Sequence, residues 1–543
     1  MRVAFRGKYD KIERMLFDCR QWKPGQNKKE DIRKDRSAMK ANRTKNALKI
    51  VSASMIEQVV IVICGLILPR LLIQEYGSEV NGLVSSIKQF LTYFSVVSSG
   101  ISVASNAALY QPLARNDHKK INGILSATAV FFRKSAYLFI ALLSVLALVY
   151  PFAVKSSVPK TDVFLLILIL SAGMIMEYMF LGKYRTLITA DQKLYVEANL
   201  QSQGFILNLA FSVVLIYLHF SILIVQLVAT LVYILRAFRL IRYVKTNYPY
   251  VDFKVEPDMN SISNRWAAFS YQVSSIVIAY TPVVLLTFMS GLKDVSVYSV
   301  YNMVFSAILM IVNVFSSGLS ASFGNLIARS EKRALLKSYN TYEYIYFTIT
   351  FLCYACALKL ILPFISVYTR NISDANYIVP QLALWFVISG LVRMLRTPSV
   401  TLVEAAGKYA ENKNLNLVEA VLNIILSVLF TLIFGISGVL IGAAVASFLR
   451  SVCYIFYVQR HLLQRNLTAI FLRLLANSLM LAAVYFIPFH IRSDSILSFF
   501  VLSISVFFAS ALLFFFTNSA MDRESFLDTL ERLKEIRKGR LRN

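Results

Sequence analysis

The sequence is poor in charge, histidine and cysteine. Of its 543 residues only 16% are Asp, Glu, Lys or Arg, and there are 4 histidines and 5 cysteines. Five cysteines, at positions 19, 64, 353, 356 and 453, are too few and too scattered for a disulfide framework. The Cys353-x-x-Cys356 pair lies inside an apolar run without a second ligand pair, so it reads as two buried free thiols rather than a metal or redox centre. His118, His219, His461 and His490 fall at the edges of apolar segments, where an interfacial histidine is expected and a base or ligand is not. There is no G-x-x-x-x-G-K-[ST] phosphate loop, no H-E-x-x-H, no G-x-S-x-G and no D-x-D on a loop. These absences argue against ATP-driven and hydrolytic chemistry. The chain is not expected to be an enzyme or to need a cofactor. An ion gradient, of H+ or Na+, or the gradient of the substrate itself would have to supply any work.

What is present is apolar. Hydrophobic residues make up 57%, and the mean hydropathy of +0.59 is far above globular usage. This composition specifies a membrane protein. Acids are outnumbered by bases, 30 to 57, for a net charge of +27, so the bases must lie where water or lipid headgroups reach them. They sit in short loops between apolar segments and not on a folded basic domain, which argues against a nucleic-acid partner. Residues 1–46 hold 15 Lys or Arg and 6 acids and read as a basic cytoplasmic tail without the apolar core of a signal peptide.

From position 47, segments long enough to cross a bilayer follow with little pause. They are expected at 47–73, 85–109, 130–153, 162–182, 196–218 and 220–243, then at 265–289, 296–325, 342–365, 376–399, 414–434 and 437–459, and finally at 467–489 and 495–517. The fold class is therefore an all-α polytopic membrane protein of about fourteen helices, as two lobes of six and an extra pair. The units are a first lobe at 47–243, a cytoplasmic linker at 244–264, a second lobe at 265–459, the pair at 460–517 and an amphipathic cytoplasmic tail at 518–543.

The two sixes are copies. At an offset of 218, VYSVYNMVFSAILMIVNVFSSGLS lies over EVNGLVSSIKQFLTYFSVVSSGIS, placing Ser98-Ser99-Gly100 on Ser316-Ser317-Gly318. Pro151-Phe152 returns as Pro363-Phe364 at an offset of 212. With the N-terminus inside, the connections on the inner face carry about three times as many Lys and Arg as those on the outer face, which puts both termini in the cytoplasm. An even number of spans per copy makes the repeat parallel, with an axis along the membrane normal and a cavity between the lobes.

Ionisable groups inside the spans carry the functional signal, because each costs roughly 2.5–3.5 kcal/mol near the bilayer centre unless it meets a cavity or a partner. The basic candidates are Lys88, Arg133, Lys134, Lys359, Arg393, Arg396 and Arg450, with Arg70 and Arg236 at span ends. The acidic ones are Glu57, Glu177, Glu197, Glu404 and Glu419. The set leans cationic, which suits an anionic substrate such as a phosphate or diphosphate. Tyr298, Tyr301, Tyr342, Tyr344 and Tyr346 are candidates for stacking on sugar rings, and Gly435, Gly438 and Gly442 with nearby alanines form a close-packing face.

Several segments, in this order along the chain, resemble one family. YGSEVNGLVSSIKQFLTYFS (76–95), ALYQPLARND (108–117), YRTLITADQKLY (184–195), VYSVYNMVFSAI (297–308), SFGNLIA (322–328), PFISVYT (363–369) and AAGKYAENKNLNLVEAVLNIILS (405–427) resemble the bacterial Wzx-type polysaccharide transporters. These are lipid-linked oligosaccharide flippases of the multidrug/oligosaccharidyl-lipid/polysaccharide exporter superfamily. The resemblance covers about residues 46–465. It implies two six-helix lobes in a V, alternating access, a location in the bacterial cytoplasmic membrane, an undecaprenyl-diphosphate-linked glycan as cargo, and polysaccharide-assembly proteins as partners. Pro282 follows Tyr280-Thr281 where relatives commonly carry an acidic residue that serves cation coupling. Two rivals make different demands. A cation-coupled multidrug exporter would favour acidic and aromatic cavity residues, and a glycan polymerase would show a long outer loop, which is missing.

Overall fold

The computed structural model describes residues 26–98, 100–262, 265–314, 319–487 and 495–537, which contain helices and no strand. Eleven helical stretches among them are long and apolar enough to cross a membrane, as befits a multi-pass membrane protein. In hydrocarbon, backbone N–H and C=O groups must be satisfied within the segment, and an apolar run of this length does so as a helix.

Helix α1 (Gln26–Phe94) begins well ahead of the expected start at 47, so the later part of the basic tail continues the first span as helix; residues 1–25 lie outside the described residues. It bends once, at Gly77, where φ is +86°, a conformation that costs glycine little. The first lobe continues with α2 (Ile101–Arg115), α3 (His118–Ala153), α4 (Lys160–Met176), a π turn at Glu177–Leu181, α5 (Gly182–Ala190), α6 (Leu194–Tyr217) and α7 (Ile222–Asn247). The second repeats this order as α8 (Arg265–Met289), α9 (Leu292–Val314), α10 (Leu319–Ala328), α11 (Lys332–Tyr368), α12 (Pro380–Leu395) with α13 (Thr397–Ala405), α14 (Tyr409–Phe434) and α15 (Gly438–Tyr457). The segments expected at 85–109 and 296–325 are not single helices. In the first copy a 3₁₀ turn at Ser95–Ser98 and a left-handed Gly100 separate α1 from α2, and the Ser98 hydroxyl donates to the Ser95 carbonyl at 3.0 Å, so the serines compete with the helix for its own hydrogen bonds. In the second copy the same motif falls between the end of α9 and the start of α10, outside the described residues.

The small-residue face works as expected. A Cβ on Gly442 would lie 2.3 Å from the Ser427 nitrogen, and the Ser427 hydroxyl reaches the Val439 carbonyl at 3.1 Å, so α14 and α15 pack backbone against backbone. The tyrosines proposed for sugar stacking have another role. Tyr298, Tyr301, Tyr342, Tyr344 and Tyr346 are all buried, four of them in an aromatic core where Tyr301 and Phe305 stack on Phe386 at 5.7 and 5.1 Å. Burial of large rings between helices outweighed their availability to a ligand.

The extra pair, α16 (Leu467–Phe486) and α17 (Ile496–Met521), packs along α11. Asn477 and Asn518 exchange reciprocal amide hydrogen bonds at 2.9 Å between them. A last helix, α18 (Arg523–Arg537), is tied down by the Asp528 carboxylate, which accepts from Thr341 at 2.7 Å, Lys337 at 3.0 Å and Arg532 at 2.9 Å. Burial raises the pKa of Asp528, but the hydrogen bonds from Thr341 and Lys337 and the charge of Arg532 outweigh it and hold the carboxyl below its ordinary value. A depressed carboxylate stabilises the docked state above its unfolded pKa and loses that contribution as pH falls through the folded one. Protection of amides 523–537 relative to intrinsic exchange should therefore be high at neutral pH and fall below about pH 4; unchanged protection at pH 3 would contradict this.

Candidate substrate site

The lobes are joined by a polar seam at the bend of α1. The Ser78 amide and hydroxyl each donate to the Asp374 carboxylate at 2.7 Å, and Tyr377 donates to the Ser78 hydroxyl at 2.6 Å. Asn81 donates to Ser296 at 2.7 Å, the Ser86 and Thr287 hydroxyls meet at 2.7 Å, and Lys293 donates to the Asp374 carbonyl at 2.9 Å. The backbones touch at Gly82, where a Cβ would sit 1.8 Å from the Leu292 carbonyl oxygen. Residues so close are not separated by water, so the lobes are closed at this end. Gly82→Leu is expected to force the seam apart. A Ser78→Cys/Asp374→Cys pair, which should cross-link readily in the wild-type background, should then cross-link at least about tenfold more slowly, and an unchanged rate would refute the contact.

A polar cavity of about 360 Å³ lies within the first lobe, lined by Lys88, Glu177, Arg185, Gln226, Thr230 and Tyr233 among others. Arg185 donates to Glu177 at 2.8 Å and also pairs with Glu197, and Tyr233 donates to Glu177 at 2.8 Å. Glu177 opens the π turn, a feature that often marks functional sites in helices. Arg236 lies over the Tyr233 ring at 4.3 Å, and Glu57 is within electrostatic reach of Glu197, Arg236 and Arg185. Lys88 differs from these neighbours. It is exposed, and no carboxylate among the described residues pairs with it.

The second lobe holds a buried counterpart. Glu419 accepts from Arg396 at 2.7 Å, from Ser447 at 2.9 Å and from Arg450, and all three charged groups are buried. Two guanidiniums on one carboxylate leave a net positive charge, and Arg393 lies close enough to add to it.

A third feature is apolar. A cavity of about 510 Å³ is walled by Gly65 and Leu66 of α1, Ile308 of α9, Cys353 and Phe364 of α11 and Phe507 of α17, so that both lobes and the extra pair contribute. Cys353 and Cys356 are free and only half-buried, and both line this cavity.

The candidate cations are thus dispersed. Lys88 lines the polar cavity. Arg133 and Lys134 are exposed on α3. Arg70, seven residues before the bend of α1, lies 5.9 Å from the Tyr368 ring of the second lobe, and Lys359 donates to the Tyr485 and Ile487 carbonyls at 2.6 and 2.8 Å, closing the end of α16. Arg396 and Arg450 come together on Glu419, with Arg393 within electrostatic reach of Arg396. The clamp of Arg185 on Glu177 and Glu197 was not anticipated, because Arg185 reads as a loop residue in sequence; its eight-residue spacing from Glu177 was the available signal.

No family model matches the chain, and no curated protein matches it in sequence. Solved structures do. A lipid II flippase, MurJ, in an inward closed conformation superposes with a TM-score of 0.62 at 15% identity, covering 88% of this chain and 99% of that one. An inward-facing multidrug resistance MATE family transporter of the MOP superfamily gives 0.59 at 14%, covering 81% and 98%, and a MATE structure in a bent conformation gives 0.51 at 14%, covering 80% and 97%. The chain has the fold of these transporters. Within it the bend of α1 and the seam with α9 join the two lobes.

Proposed function

We propose that the protein is a flippase that moves an undecaprenyl-diphosphate-linked oligosaccharide, the repeat unit of an O-antigen, capsule or exopolysaccharide, across the bacterial cytoplasmic membrane by alternating access. The observation that carries this reading is the coexistence of an apolar cavity suited to a hydrocarbon chain with a separate polar cavity holding the unpaired Lys88. A diphosphate-linked lipid needs both environments, one for its tail and one to compensate its charge. On the loop charge bias the joined seam lies on the outer side, and this conformation is then closed outward. Coupling to H+ or Na+ falls to the Glu57, Glu177 and Glu197 group, since α8 carries Pro282 and no acidic residue. Export of cationic drugs is a second reading, favoured by the same acidic group and by the MATE-like fold.

The deciding experiment is reconstitution in proteoliposomes. Translocation of a polyprenyl-diphosphate oligosaccharide with no uptake of cationic dyes is expected. Dye transport with no movement of any diphosphate-linked glycan would replace this reading with the second.

A further inference from the structure

The first lobe carries a second cationic cluster, on the face where its linker to the second lobe runs. A Cβ on Gly182 would lie 2.7 Å from the Phe132 ring, so the start of α5 rests on α3 and sets Lys183 beside Arg133. The Lys183 ammonium sits over the Phe253 ring at 4.4 Å and the Tyr184 ring at 5.4 Å, and these two rings meet edge to face at 5.0 Å. Phe253 is held in place by the linker, since its carbonyl accepts from Ser126 at 2.7 Å and the Tyr250 carbonyl accepts from Asn122 at 2.9 Å. Val244 is buried in the same core as Tyr184 and Leu181, which brings Lys245 to its rim. Among the described residues, the charges that act on Lys183 are those of Arg133 and Lys245, both positive. The nearest acid along the linker, Asp252, is exposed and caps the Lys254 amide at 2.8 Å.

Three cations that converge with no carboxylate between them among the described residues repel one another, and a packed fold that holds them together is poised for an external anion. Arg133 and Lys245 are exposed. Lys245 stands in the last turn of α7, and Arg133 with Lys134 interrupts the apolar run of α3, as basic residues do where a helix meets lipid phosphates. We propose that Arg133, Lys183 and Lys245, with Phe253 as a floor, form a binding site for a lipid-borne phosphate at the linker-side membrane surface, separate from the Lys88 cavity. The phosphate belongs either to an anionic phospholipid or to a polyprenyl diphosphate. The proposal does not depend on what the protein transports.

The test uses the full chain in nanodiscs followed by native mass spectrometry to count retained lipids. One arm contains phosphatidylglycerol in phosphatidylcholine, and the other adds a polyprenyl diphosphate. Wild type should retain an anionic lipid, and removal of each cation (R133A, K183A, K245A) should weaken retention by about fivefold. K183R should preserve it, and K119A, which removes a charge of the same sign at another exposed position, should leave it unchanged. Displacement of phosphatidylglycerol by the diphosphate through the same three residues would name the diphosphate as the source, and its failure to compete would name the phospholipid. Retention by the triple variant equal to wild type, or an equal loss in K119A, would overturn the site.

Discussion

Lys88→Glu should abolish translocation of a diphosphate-linked glycan while leaving the protein folded and inserted. Ser78, Asn81 and Lys88 share one face of the second arm of α1, so the lysine extends the polar stripe whose first two members build the seam. It lines a cavity and has no carboxylate partner among the described residues, so exchanging it breaks no ion pair. An uncompensated intramembrane cation is expensive and persists where it has a use. A charge-assisted hydrogen bond to a phosphate contributes about 1.5–3 kcal/mol, so Lys88→Ala should reduce the initial rate at low substrate concentration roughly 10- to 100-fold. Lys88→Glu should go further, because it sets two like charges together. Lys88→Arg should retain most of the rate. A Lys88→Glu protein that flips within a factor of two of wild type would remove Lys88 from the substrate path.

Glu419→Ala should be the most destabilising single change. The carboxylate is the counter-charge for two buried guanidiniums, and its removal leaves Arg396 and Arg450 facing each other and Arg393 in low dielectric. Breaking a buried ion pair in this way costs about 3–5 kcal/mol, whereas replacing the whole group by apolar residues of similar size is often neutral. The thermal midpoint in detergent should therefore fall sharply in Glu419→Ala and recover in a Glu419→Leu/Arg396→Met/Arg450→Met triple variant. Wild-type stability in the single variant would show that the cluster is solvated. Transport by the triple variant reports on the arginines separately. Normal flipping would assign them to structure, and loss of flipping in a stable protein would assign them to the substrate.

Much of the architecture was legible along the chain. Helix periodicity matters little where every face is apolar; run length and the offset repeat specified the two lobes, because a span must satisfy its backbone locally and a duplicated segment folds as its copy does. Boundaries were less legible where local polar chemistry competes. The Ser-Ser-Gly motif that revealed the repeat also breaks the span it lies in, through a left-handed Gly100 and a Ser98 hydroxyl that bonds backward. The small residues of α15 predicted their own contact, since glycine and alanine have no other way to stabilise a helix pair in lipid.

The site was less legible than the fold. Sequence determined that the spans hold an excess of cations, which is a property of composition. Only the tertiary structure decided which of them are spent on partners, because pairing depends on distances between residues far apart in the chain. Arg396 and Arg450, 23 positions before and 31 after Glu419, close on the same carboxylate, and Lys359 is taken by carbonyls more than 120 positions away. Among the described residues Lys88 is left without a carboxylate partner for the same reason: Glu177, the acid that lines its cavity, is paired with Arg185 of α5, which also takes Glu197.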